Sequence, residues 1–94
     1  VKYSIVLSGN YYKFSQNKEM REYLLSTGNR VLVEASPMDT IWGIGFGKDN
    51  EKAYDPNAWR GKNLLGFALM EVRDEIRNVY KNYDKINWEN VKKP

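Results

Sequence analysis

The chain contains no cysteine and no histidine. The first absence excludes disulfides and thiolate catalysis. The two together exclude zinc sites built on Cys or His and a histidine general base. Acid–base chemistry must then fall to carboxylates, Lys or Tyr. No run of about 18 apolar residues occurs, so nothing reads as a membrane span. Val1 opens no signal-peptide pattern. There is no initiator Met, so the chain is expected to be a piece of a longer protein. The lack of cysteine fits a cytoplasmic location, which is the expected one. Neither sign of charge dominates. The net +3 comes from 15 basic and 12 acidic residues, without the clustering on one face that marks a dedicated nucleic-acid binder.

Ninety-four residues make one small domain of modest stability. A hydrophobic content of 41% suits a globular core, and an aromatic content of 14% is high. Residues 81–94 carry Lys81, Lys85, Lys92 and Lys93 against Asp84 and Glu89 and read as a basic, solvated tail. Within it, Ile86, Trp88 and Val91 are positioned to pack back on the domain. The division expected is a domain over 1–80 and a tail over 81–94.

Tyr3, Val6, Leu7, Tyr11 and Phe14 recur at helical spacing over 2–14, although Gly9 weakens that helix. Asn17 is an N-cap for a second helix from Lys18, with Met20, Tyr23, Leu24 and Thr27 on one face. Gly28-Asn29 closes it as a left-handed cap. Arg30 to Ala35 reads as a short strand with Val31, Leu32 and Val33 buried, broken by Ser36-Pro37. Ile41 to Phe46 reads as a second extended piece. Residues 47–60 form a long polar loop of the kind that is often functional. The clearest element is a helix from Leu64 to Tyr80, capped by Asn63. Its apolar stripe is Leu65, Ala68, Leu69, Val72, Ile76, Val79 and Tyr80. The fold class expected is α+β, mainly helical, with a small β element around residues 31–46.

Two stretches carry the chemistry. The first, Leu32 to Gly45, places the carboxylates of Glu34 and Asp39 and the ring of Trp42 around a glycine-punctuated loop. Glu34 ends a buried strand, where a carboxylate is costly unless paired or facing a ligand. Asp39 sits in a turn, where Asp commonly bonds its own backbone. Trp42 is either core or a stacking face for a flat ring. Gly43 and Gly45 allow close backbone approach, but neither GxGxxG nor GxxxxGK[ST] is present, so glycine alone does not make a phosphate loop. The second stretch, Trp59 to Gly66, brings Arg60 and Lys62 beside Asn63 at a helix start. There, free N–H groups could receive an anionic oxygen. No lysine lies in an apolar run that would activate it as a nucleophile.

In order along the chain, six short motifs stand together. They are Lys13-Phe14-Ser15-Gln16-Asn17, Leu24-Leu25-Ser26-Thr27-Gly28, Leu32-Val33-Glu34, Asp39 to Gly45, Gly61-Lys62-Asn63-Leu64-Leu65-Gly66, and Leu69-Met70-Glu71-Val72-Arg73. Their sequence of appearance resembles the C-terminal part of the NADAR, or YbiA-like, family from about residue 3 to residue 77. The resemblance implies N-glycosidic chemistry, the cleavage of a ribose carbon–nitrogen bond. The implied substrates are riboflavin-pathway nucleotide-like intermediates or ADP-ribosyl-guanine in nucleic acid. On that reading Asp39 and Glu34 are the catalytic carboxylates, and Trp42, Gly43, Gly45, Arg60 and Asn63 bind substrate. No cofactor and no metal are implied.

Family members are longer. Their N-terminal half carries a Pro-Thr-x-Glu-x-x-Tyr segment and a following Lys that this chain lacks. The expectation is therefore half an active site, completed by an N-terminal chain or a homo-oligomer, with no membrane partner. The alternative is a non-catalytic module that binds ADP-ribose or NAD. A third reading takes both motifs as packing in an interaction domain.

Overall fold

In the computed structural model, residues 2–81 are described; Lys81, expected to open the tail, ends the last helix, and residues 82–94, with Ile86, Trp88 and Val91, lie outside them. Three helices carry the fold: α1 (Tyr3–Gln16), α2 (Lys18–Ser26) and α3 (Leu64–Lys81). The periodicity over 2–14 is indeed a helix, and Gly9 does not break it. Asn17 caps α2 as its side chain predicts, its Oδ1 accepting the Met20 N–H at 3.1 Å. Gly28 ends the helix in the left-handed region at φ +63°. Of the four residues assigned to one face of α2, only Leu24 is buried, while Tyr23 stands in solvent.

The core has two parts. Leu24 of α2 packs with Val72 and Ile76 of α3, and Leu7, Tyr11 and Phe14 of α1, with Leu25 and Leu32, close around them. At the edge of this bundle, the Tyr3 hydroxyl donates to the Glu71 carboxylate at 3.0 Å. Burial, then that carboxylate, pushes the Tyr3 hydroxyl up to about 12. The second core joins Ile44, Phe46 and Ala53, with Trp59 against it. The long loop over 47–60 is built from two short 3-10 turns, Glu51–Tyr54 and Pro56–Ala58. Each is capped by an acceptor side chain, Asn50 on the Lys52 N–H and Asp55 on the Asn57 N–H.

The expected α+β class does not hold. Among the described residues there is no strand, and the β element around 31–46 is absent. The reason is local. Strand pairing needs a neighbouring chain to supply donors and acceptors at alternate residues, and here a side chain does so instead. The Asn63 amide accepts from the Glu34 N–H at 2.9 Å and donates to the Leu32 carbonyl at 3.0 Å. One asparagine thus does for residues 32 and 34 what a residue of a neighbouring strand would do. The Glu34 carbonyl is then taken by the N–H groups of Ser36 and Ile44, both at 3.0 Å. With those groups satisfied, residues 32 and 34 need no partner strand on that side. The buried run expected at Val31–Val33 also divides. Leu32 packs into the helical core, whereas Val31 is 63% exposed and Val33 39%.

Asn63 is therefore not the side-chain cap expected for α3. It is fully buried and sits at φ +53°, a backbone region open to Asn more readily than to most residues. Gly66, one turn into α3, makes the clasp possible. A Cβ there would run into the Leu32 carbonyl and lie 2.5 Å from the Asn63 amide.

Gly66→Ala should therefore lose about 2–4 kcal/mol of stability, through overpacking and the buried groups it unpairs. Gly9→Ala meets nothing within 4 Å on the surface of α1 and should gain about 0.5–1 kcal/mol from helix propensity. Urea unfolding of the two variants beside the parent checks both signs.

Candidate functional site

The site residues nominated from sequence fall on one hydrogen-bonded substructure at the start of α3. The loop over 39–45 lies against residues 60–65 through six backbone bonds. Arg60 and Gly61 donate to the Ile44 carbonyl at 3.0 and 2.9 Å, and Lys62 donates to Thr40 at 3.0 Å. Asn63, Leu64 and Leu65 donate to the carbonyls of Gly43, Ile41 and Trp42 at 3.0, 3.2 and 3.0 Å. A helix N-terminus leaves N–H groups without partners, and here the loop's own carbonyls take them. This corrects the expected anion corner, because the donors at Asn63, Leu64 and Leu65 are already engaged.

Asp39 closes the loop on itself. Its Oδ1 accepts from the N–H groups of Ile41 at 3.0 Å and Trp42 at 2.8 Å. These bonds, Trp42 first, hold the carboxyl below its ordinary value of 3.8. Asp39 is thus ionised through the neutral range, with Trp42 three residues away and half-buried. Such an anion suits stabilising positive charge and does not suit donating a proton.

Glu34 is brought to the same place by the backbone. A Cβ on Gly43 would lie 2.9 Å from both the Asp39 and the Glu34 carbonyl oxygens. The two acidic residues therefore flank one glycine that no other residue replaces without movement. The Glu34 carboxylate itself makes no ion pair or hydrogen bond among the described residues. The other nominees have structural roles. Gly43 and Gly45 are buried, the latter at φ +79° beside the Arg60 side chain. Both polar atoms of the Asn63 side chain are used internally and its surface is covered, so in this structure its side chain holds the Glu34 segment. The Arg60 guanidinium lies 4.6 Å from the centre of the Phe46 ring, on the exposed side of the second core.

Arg73 was not singled out as a site residue. It is 4% exposed, and its Nη1 donates to Thr27 Oγ1 at 2.9 Å and the Arg30 carbonyl at 2.8 Å. One turn on, Arg77 donates to the Gly28 carbonyl at 2.6 Å and to Asn29 Oδ1 at 2.9 Å. Between them they hold the turn that feeds the Glu34 segment. The signal in the sequence was an arginine beside the apolar stripe of α3, at Arg73 directly after Val72. Among the described residues no group of three acidic side chains converges as a metal ion would require. No helix there is long and apolar enough to cross a membrane.

The sequence that builds this arrangement matches a known domain family. The NADAR domain family model matches residues 1–77, and the chain belongs to that family. An N-glycosidase of Acanthamoeba polyphaga mimivirus is 51% identical over 74 residues, which is 79% of this chain and 44% of that protein. An N-glycosidase of Nostoc punctiforme is 42% identical over 79 residues, covering 84% of this chain and 44% of its own length. A riboflavin biosynthesis protein of Zea mays, chloroplastic, is 44% identical over 64 residues, 68% of this chain and 8% of that protein. The chain thus spans less than half the length of these curated relatives. No solved structure matches it.

Because folding lowers the Asp39 pKa, its contribution to stability is present above the unfolded value. It is lost as pH falls through the folded value. Asp39→Asn keeps an acceptor oxygen but no charge. The melting temperature of the parent should exceed that of Asp39→Asn at neutral pH, and the gap should close as pH falls below about 3.8. Thermal unfolding from pH 2.5 to 7 measures it; a constant gap would mean the charge of Asp39 is immaterial.

Proposed function

We propose that this chain supplies part of an N-glycosidase site that cleaves a ribose carbon–nitrogen bond. The observation that carries the reading is that the backbones of Asp39 and Glu34 meet at Gly43, with the Asp39 carboxylate held by the Trp42 N–H. Cleavage at an anomeric carbon leaves an oxocarbenium-like sugar. An ionised carboxylate held by backbone donors stabilises that charge without reorganising. Asp39 takes this role. Glu34, whose carboxylate is not engaged elsewhere in the described residues, takes the proton from water. The water oxygen bonds the anomeric carbon, the carbon–nitrogen bond breaks, and its electron pair leaves with the nitrogen, which gains a proton. Trp42 holds the sugar or the leaving ring.

The substrate proposed is nucleotide-like, either ADP-ribosyl-guanine in nucleic acid or a phosphorylated riboflavin-pathway intermediate. The Zea mays relative, a riboflavin biosynthesis protein, supports the second. Residues beyond this chain complete the site, as the relatives' greater length supports. They are supplied by an N-terminal segment on the same or another chain, or by a second copy. A soluble cytoplasmic setting accords with this chemistry. The second reading, a module that binds ADP-ribose or NAD without turnover, draws on the same shortfall in length.

Turnover in H2(18)O, followed by mass spectrometry, separates the two. The N-glycosidase reading expects one heavy oxygen at the sugar's anomeric position. Asp39→Asn should lower kcat by about 10²–10³ with circular dichroism at neutral pH unchanged. Trp42→Ala should act mainly on KM. Ligand binding with no heavy oxygen in the sugar, even with the complementary segment added, would leave the binding module standing.

A further inference from the structure

Val31, Val33 and Ala35, at alternate positions of the Glu34 segment, line a groove of about 310 Å³. Lys48, Tyr54 and Trp59 are among the residues across from them. The volume lies at the small end of the range for small-molecule sites. Its chemistry is narrow. Two aromatic rings and branched aliphatic side chains make the lining, and one side chain there is charged. Trp59 is fixed, because its Nε1 donates to the Ala53 carbonyl at 3.0 Å. Tyr54, which also lines the groove, is 85% exposed and offers its ring to solvent. Lys48 makes no ion pair among the described residues. A free sugar finds few hydrogen-bond partners in such a lining. A flat heterocycle finds two rings to stack on, and an attached phosphate finds one ammonium.

We propose that this groove is a nucleotide subsite, taking the base between Tyr54 and Trp59 and the phosphate at Lys48. Residues 39–42 are not among its lining, and it takes one end of the nucleotide-like substrate proposed above, on whose chemical class it rests. Base stacking on aromatic side chains is tolerant of base identity, so the groove recognises a class of ring. The lysine supplies charge, worth little in affinity at an exposed position.

The test is an amide and indole NMR titration of the whole chain with AMP, adenosine and ribose 5-phosphate in turn. AMP should shift Val33, Lys48, Tyr54 and the Trp59 indole together and saturably. Adenosine should shift the same signals more weakly, and ribose 5-phosphate, which lacks the ring, should leave Val33, Tyr54 and the Trp59 indole in place. Tyr54→Ala should weaken both nucleoside ligands about tenfold. Lys48→Gln should weaken AMP about fivefold and leave adenosine unchanged. Both side chains are exposed, so the variants keep the fold. Shifts confined to residues 39–45 would overturn the subsite while leaving the N-glycosidase reading intact. So would an absence of shifts at millimolar AMP, or groove shifts that track protein concentration because a second copy covers it. Heavy-oxygen incorporation reports on the reaction without passing through Tyr54, so the two proposals fail separately.

Discussion

The fold turns on one side-chain amide. Asn63 reaches from the start of α3 to the Leu32 carbonyl and the Glu34 N–H, and both of its polar atoms are covered. A buried amide that loses either bond costs more than an average hydrogen bond contributes, since the partner is left unsatisfied too. The segment carrying Glu34 is therefore tied to α3 at one register. Arg73 and Arg77 repeat the tie further along the helix, at the turn over 27–30. The loop over 39–45 completes it by filling the first-turn donors of α3. Polar groups thus tie the long helix, the linker and the loop together, beside the apolar packing of Leu32 and Ile44.

This arrangement explains which parts could be read from sequence. The α3 stripe showed plainly, since Ala68, Val72 and Ile76 obey helical spacing and are buried. The α2 caps at Asn17 and Gly28 were equally legible, because each is a local choice of one residue. The linker reads as strand from its sequence, and is not one, for a physical reason. Val31, Leu32 and Val33 have the composition of a buried strand, yet what satisfies their neighbours' backbone is an asparagine about thirty residues away. No local pattern announces such a partner. The acidic pair was nominated from the stretch itself, but its meeting at Gly43 was not legible. That meeting needs the loop to fold back on Glu34.

The same geometry separates positioning from chemistry. Asn63, Gly43, Gly45 and Gly66 are spent on close approach and internal bonds. Asp39 and Glu34 keep carboxylate oxygens that those bonds do not use. Membership in the NADAR family and the N-glycosidase relatives support a hydrolytic reading of that pair. The chain's share of its relatives' length makes completion of the site from outside part of the same proposal.

The central claim is that the Asn63 clasp orders the Glu34 segment without a partner strand, and amide hydrogen exchange tests it directly. The account predicts that the Glu34 and Ile44 amides exchange slowly and together with Leu65, while Val31 and Val33, which have no backbone partner among the described residues, exchange at the rate of open chain. A Glu34 amide that exchanged as fast as Val33 would contradict it.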